Sequence, residues 1–194
     1  MNSPDYQAAI ETEWTATMKA SDVLELYNAL DRQGVPIWVD GGWAVDALLG
    51  QETRVHGDVD IAIEQKHVAQ LRQLLTDRGY KEIKQEMARP HNFVLADDKG
   101  HEVDIHVIVI DEHGDGIYGP AENGEMYPAA SLTGNGMIAN RSVKCISAEF
   151  MIKFIAPWIQ KHPRKYLPAV AALCEKFEIE LPEEYKRLQE QESL

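Results

Sequence analysis

Asp58 and Asp60 stand two apart in the run His56-Gly57-Asp58-Val59-Asp60-Ile61-Ala62-Ile63. Val59, Ile61 and Ile63 are β-branched residues at alternate positions, so the run reads as a strand, and alternate positions on a strand project from one face. Both carboxylates therefore share a face, where they repel one another unless a divalent cation reconciles them. A third acid, Asp104, lies in a second alternating run, Glu102-Val103-Asp104-Ile105-His106-Val107-Ile108. An isolated Asp-x-Asp most often marks only the polar side of a strand. Three acids on neighbouring strands, downstream of a Gly41-Gly42 turn, call for a chemical use.

Phosphoryl transfer is such a use. Two Mg²⁺ ions held by carboxylate oxygens about 3.5–4 Å apart clamp a triphosphate and stabilise both the attacking and the leaving oxygens. On this reading Asp58 and Asp60 hold the metals, while Asp104 completes a metal site, accepts the proton of an attacking hydroxyl, or does both. Gly41 and Gly42 follow the short apolar strand Ile37-Trp38-Val39 and lead into a helix-like run from Trp43 to Leu49. Without β-carbons they let the backbone come close to phosphate and present N–H groups at a helix start.

Several neighbours have a chemical and a structural reading side by side. His56 contacts a phosphate or braces the loop; Arg54 meets the triphosphate or is an ordinary exposed loop arginine. Asp40 is a candidate helix cap. His106 shares the face of Asp104, as a partner orienting a metal ligand or as a core histidine. His91 and Asn92 line an acceptor pocket or satisfy local backbone. Glu122, Glu125 and Tyr127, on a long loop, contact substrate amines and a sugar or base, or are simply solvated.

The elements that must position these groups follow from periodicity. Helices are expected at 5–18 and 22–33, the second capped by Ser21 or Asp22 and stopped by Gly34 and Pro36. A strand around Trp38, a helix from Gly42 to Leu49, a loop over 50–57 and the acidic strand at 58–64 come next. A helix over 66–78 closes at Gly79, and strands follow at 80–85, 91–97 and 101–110, the last two joined by a hairpin at Asp97-Asp98-Lys99-Gly100. Residues 111–133 lack any sustained period and read as a loop. Short extended pieces at 136–146 precede helices at 147–160, 164–177 and 182–191. The expected division is an α/β core over 1–112, including the N-terminal helices, and an acceptor-side loop with a helical region over 113–194.

At this level the residues resemble a known family. Trp38-Val39-Asp40-Gly41-Gly42-Trp43-Ala44-Val45-Asp46 followed by His56-Gly57-Asp58-Val59-Asp60 is similar to the small antibiotic nucleotidyltransferases of the DNA polymerase β-like superfamily, both lincosamide and aminoglycoside 2″-nucleotidyltransferases. Val103-Asp104-Ile105-His106 matches their third-carboxylate strand, and Val143-Lys144-Cys145-Ile146-Ser147-Ala148-Glu149 the junction opening their C-terminal part. The resemblance spans roughly residues 22 to 185 and is most specific in the first half.

The resemblance implies an α+β fold, a mixed twisted sheet with flanking helices and a small, mainly helical C-terminal part. It implies a Mg²⁺-dependent transfer of a nucleoside monophosphate, AMP from ATP, onto a hydroxyl of a small molecule such as an aminoglycoside or lincosamide, with release of pyrophosphate. Asp58, Asp60 and Asp104 carry over as metal ligands, Asp104 also as base, and Gly41 and Gly42 as triphosphate-loop residues. Among the cations of the helical half, Lys153, Lys161, Arg164 and Lys165, one is expected to neutralise the departing pyrophosphate as a lysine does in similar enzymes; Lys165 is the candidate. The match departs after Phe154, where Ile155 to Ala169 replaces the glycine, tyrosine and acidic residues often found in relatives.

Bulk properties narrow the partners. A net charge of −13 over 194 residues repels phosphate backbones and disfavours long nucleic acids, while it attracts cationic small molecules. No run reaches the ~18 apolar residues of a membrane helix, and Met1-Asn2-Ser3-Pro4-Asp5 lacks the features of a signal peptide, so a cytoplasmic protein is expected. Cys145 and Cys174 are far apart and flanked by apolar residues, which reads as two buried thiols. A monomer or homodimer fits equally. Two other readings compete with the small-molecule transferase: a nucleotidyltransferase-like module that binds nucleotide or a partner without turnover, and a toxin-type enzyme that nucleotidylates a protein or tRNA. The acidic trio argues against the first, because a lapsed site has no reason to keep mutually repelling carboxylates.

Overall fold

The computed structural model describes residues 17–84, 89–119 and 126–192. Helix α1 (Ala20–Asp31) turns Val23, Leu26, Tyr27, Ala29 and Leu30 inward. It starts earlier than its sequence caps predict because Asp22 acts from inside the first turn, accepting the Lys19 backbone N–H at 2.9 Å. Gly34, at φ +70°, reverses the chain. Strand β1 (Ile37–Asp40) runs directly into helix α2 (Gly41–Leu49), which ends at left-handed Gly50. Strand β2 (Asp58–Glu64), a 3-10 turn (Gln65–His67) and helix α3 (Val68–Thr76) follow. Next come β3 (Lys81–Ile83), β4 (Asn92–Ala96) and the long β5 (Glu102–Ile110).

The stretch read from sequence as a loop over 111–133 contains, in its described part, β6 (Gly116–Tyr118), β7 (Met126–Tyr127) and a 3-10 segment (Ala129–Thr133). These strands are too short for a period to appear in the sequence; they exist because β6 pairs with the far end of β5 and β7 pairs with β6. A hairpin of β8 (Gly134–Ile138) and β9 (Arg141–Cys145) precedes helices α4 (Ala148–Ile159), α5 (Pro163–Phe177) and α6 (Glu183–Glu192). The helix expected at 5–18 lies outside the described residues as far as 16; Met18 itself makes a β-bridge with His56.

A single mixed sheet joins these strands in the order β3-β4-β5-β2-β1-β9-β8, with β6 and β7 continuing from β5. Parallel pairs β2–β5 and β1–β9 sit among antiparallel neighbours. One face carries Ile37, Val39, Val59, Ile61, Ile63, Phe93, Leu95, Val103, Ile105 and Val107, all buried, which alternation alone requires. Helix α2 lies so close to the β8 backbone that a β-carbon at Gly136 would overlap Ala47. Cys145 and Cys174 are both free and buried, and burial pushes the Cys145 thiol up to about 12. No described helix is long and apolar enough to cross a membrane.

Candidate active site

Register assembles the site. Antiparallel pairing sets Asp40 opposite Asp60, and parallel pairing sets Asp60 opposite Asp104. Three carboxylates from three adjacent strands thus form a lateral row. Asp58 stands two residues before Asp60 on the same side of β2, opposite Glu102. Carboxylate oxygens of Asp60 and Asp104 and a ring nitrogen of His106 all lie within 4.8 Å of one another.

Such crowding shifts proton affinities. Burial, then the charge of Asp58, pushes Asp60 up to about 8. Asp104 is also raised, by burial first, although His106 and the Asn92 amide oppose the shift; Asn92 Nδ2 donates to Asp104 Oδ1 at 2.9 Å. Burial alone would lower His106, but its hydrogen bonding to Asp40 and the charges of Asp40, Asp104 and Asp60 push it up to about 9. Asp40 moves the other way: burial would raise it, yet His106, Tyr127 and the Gly41 N–H hold it below the usual carboxylate range. The row therefore carries more negative charge than one imidazolium satisfies. All its donors are hard oxygens apart from His106, the donor set that Mg²⁺ prefers, so the residues fit that ion.

The glycine turn is built around this row. Gly41 has φ +57°, and a β-carbon there would run into the Asp60 carboxylate, 2.6 Å from its Cγ. Asp40 accepts the Gly41 N–H at 2.7 Å, which makes it the N-cap of α2 as well as a member of the row. Gly42 rests on His56, where a β-carbon would lie 2.6 Å from Nδ1, and against the Arg54 guanidinium. His56 is buried and hydrogen-bonds Asp46 Oδ2 through Nε2 at 2.6 Å, while Asp46 Oδ1 accepts from the Thr53 backbone N–H and hydroxyl. His56 thus packs under the turn as a brace. The N-terminus of α2 lies beside the acids, its first N–H held by Asp40.

Of the other residues singled out by sequence, Arg54 donates to the Val55 carbonyl at 2.9 Å as it abuts Gly42. Lys165 is exposed on the first turn of α5, its ammonium 5.0 Å from the centre of the Tyr166 ring, and no described contact joins it to the carboxylate row. Glu122 and Glu125 lie outside the described residues. Tyr127 is buried, contrary to its reading as a substrate-facing loop residue, and its hydroxyl donates to Asp40 Oδ2 at 2.7 Å. Around it runs a chain of rings: His91 to Tyr118 at 5.0 Å, Tyr118 to Tyr127 at 5.8 Å, Tyr127 to Phe154 at 5.4 Å and Phe154 to Phe150 at 6.0 Å. Phe150, Phe154 and Tyr118 are partly exposed, so the chain forms an aromatic wall leading away from the row.

The fold with this site defines a nucleotidyltransferase of the polymerase β-like kind. Residues 22–162 match the family model described as aminoglycoside-2''-adenylyltransferase, and the chain belongs to that family. A lincosamide resistance protein from Staphylococcus haemolyticus is 32% identical over 142 residues, 71% of this chain and 87% of that protein. A 2''-aminoglycoside nucleotidyltransferase from Klebsiella pneumoniae is 40% identical over 45 residues, 23% of this chain and 25% of that protein. Among solved structures, the lincosamide antibiotic adenylyltransferase LnuA, lincomycin-bound, superposes with a TM-score of 0.69 at 25% identity, covering 81% of this chain and 98% of that one. ANT(2")-Ia in complex with adenylyl-2"-tobramycin gives 0.65 at 23% identity, covering 81% and 88%, a likeness of fold. The chain is a nucleotidyltransferase.

Proposed function

We propose that the protein transfers AMP from ATP onto a hydroxyl of a small antibiotic and releases pyrophosphate, with Mg²⁺ held by Asp58, Asp60 and Asp104. The observation that carries this reading is the register-aligned row of carboxylates against Gly41, with Asp60 pushed up to about 8 by burial and the charge of Asp58. Bound Mg²⁺ would neutralise the developing charge on the phosphates. The protein's own part is positional. The α2 N-terminus and Gly41-Gly42 seat the triphosphate, and Arg54 adds charge beside Gly42. Asp104, raised by burial and oriented by Asn92, receives the proton of the attacking hydroxyl. Lys165 is proposed as the cation that meets pyrophosphate.

The aromatic wall supports an acceptor with an apolar flank and a sugar, as in the lincosamides. The net charge of −13 favours an acceptor that carries an amine over long nucleic acid. The reaction is proposed for a cytoplasmic monomer or homodimer. Incubation of the purified protein with ATP, Mg²⁺ and either lincomycin or tobramycin tests it. Pyrophosphate release with an adenylyl adduct on lincomycin is the expected result; adducts on neither compound, with ATP bound, would overturn the acceptor assignment.

A further inference from the structure

Tyr127 joins two parts of the molecule that are far apart in sequence. Its hydroxyl donates to Asp40 Oδ2 at 2.7 Å across a separation of 87 residues, and the same carboxylate, through Oδ1, accepts the Gly41 N–H at 2.7 Å. His106 Nδ1 donates to the Tyr127 oxygen at 2.6 Å. Tyr127 and Asp40 are both buried, and β7, which carries Tyr127, is fixed by pairing to β6, with Gly116 opposite Tyr127. Gly116 leaves no slack there: a β-carbon on it would lie 3.2 Å from the Tyr127 Cβ and 2.8 Å from Ile108 Cδ1.

We propose that Tyr127 is a positioning residue that sets the triphosphate turn by clamping Asp40, a role that rests on the nucleotidyltransferase reading of the site. Gly41 must hold φ +57° with its α-carbon against Asp60, and the described side chain that holds its amide is Asp40. Removing the hydroxyl leaves His106 Nδ1 as the described side chain that faces Asp40 Oδ2, at 3.5 Å. The imidazole is shared with Asp104, whose Oδ1 its Nε2 faces at 3.7 Å, so it does not replace the lost hydrogen bond. The carboxylate is free to rotate, the Gly41 amide loses its fixed partner, and the seat of the triphosphate softens while the metal ligands stay in place. A hydrogen bond to a charged group is among the stronger ones, so the loss is felt at the nucleotide.

The test compares the wild type with Tyr127→Phe and Tyr185→Phe. Tyr185 is the control: it is buried, and its hydroxyl donates to the Ile152 carbonyl at 2.8 Å, in the helical region. Each protein is titrated with a non-hydrolysable ATP analogue plus Mg²⁺ by calorimetry and melted without ligand. Tyr127→Phe is expected to lower the melting temperature and to weaken analogue binding about tenfold, whereas Tyr185→Phe lowers the melting temperature by a similar amount and leaves affinity at the wild-type value. If Tyr127→Phe does not fold, Asp40→Asn interrogates the same link and is expected to show the same loss. Unchanged affinity in the folded Tyr127 variant, or an equal loss in the Tyr185 variant, overturns the inference alone. Failure of the wild type to bind the analogue overturns the functional reading and this inference with it.

Discussion

Replacing Gly41 by alanine incurs two separable costs. The first is backbone: at φ +57° an L-residue is disfavoured by roughly 1–2 kcal/mol. The second is local, because the new methyl would sit in the space of the Asp60 carboxylate, 2.6 Å from Cγ and 3.2 Å from Cβ, so Asp60 must turn off its rotamer for roughly 0.5–1.5 kcal/mol more. The sum of roughly 1.5–3.5 kcal/mol corresponds to about 3–14 °C in melting temperature for a domain of this size. Gly34→Ala provides the control. It has a similar φ of +70° with no atom within 4 Å of the added carbon, so it incurs the backbone cost alone. Differential scanning fluorimetry and a pyrophosphate-release assay on both variants separate the terms. Gly41→Ala should lose about 10²-fold in turnover, the effect of displacing a reacting group by about 1 Å, while Gly34→Ala keeps wild-type turnover despite its lower melting temperature. Full activity in Gly41→Ala would show that the contact between the turn and Asp60 is not what organises the site.

Asp60→Asn should cut turnover by about 10³-fold or more, since a lost metal ligand forfeits several kcal/mol of charge stabilisation. It should also raise the melting temperature of metal-free protein, because asparagine needs no proton to stay neutral there, whereas burial and the charge of Asp58 force Asp60 to hold one in the folded state; a lower melting temperature would contradict that account. The metal-free protein should also lose stability as pH rises. Asp60, pushed up to about 8, and His106, pushed up to about 9, keep protons in the folded state that the unfolded chain has released. Their contribution is complete below the unfolded values and disappears as pH climbs through 8 to 9. Melting in EDTA should therefore fall between pH 6.5 and 9, and Mg²⁺ should stabilise more at pH 9 than at pH 6.5; a flat or rising EDTA profile would refute the shifts. Phe154→Ala, which opens the aromatic wall, should raise the KM for lincomycin several-fold and leave that for ATP unchanged. Equal changes in both would remove Phe154 from acceptor recognition.

The parts of the site legible in sequence are those governed by period two. Alternation in 58–64 and 102–110 puts Asp58 and Asp60 on one side of a strand and Asp104 on the polar side of another, and the parallel pairing of β2 with β5 makes them neighbours. The structure adds Asp40 to the row by register, which composition does not encode, although a signal was present: Trp38 and Asp40 alternate just as Asp58 and Asp60 do. For Asn92 the sequence leaves an acceptor-pocket reading and a backbone-satisfying one side by side; its amide donates to Asp104. Tyr127 was hidden more deeply. It sits on a two-residue strand in a segment rich in glycine, proline and acids, and only the pairing of β6 to the far end of β5 brings it to Asp40. His56 reads from sequence as a phosphate contact or a brace, and what favours the brace is the buried Asp46 ten residues earlier on α2, a contact made by tertiary folding.

The same register explains why one sheet carries so much of the chemistry. A one-residue slip of β2 against β5 would turn Asp58 and Asp60 into the apolar layer and bring Val59 and Ile61 out beside Asp104. The ten buried apolar residues of the opposite face make that exchange prohibitive, so the core that holds the sheet together also holds three mutually repelling carboxylates in line. Repulsion in the row is thus opposed by burial on the other side of the same strands. A cation at the row relieves the first term without altering the second, which is why metal binding should stabilise this protein as it equips it for catalysis.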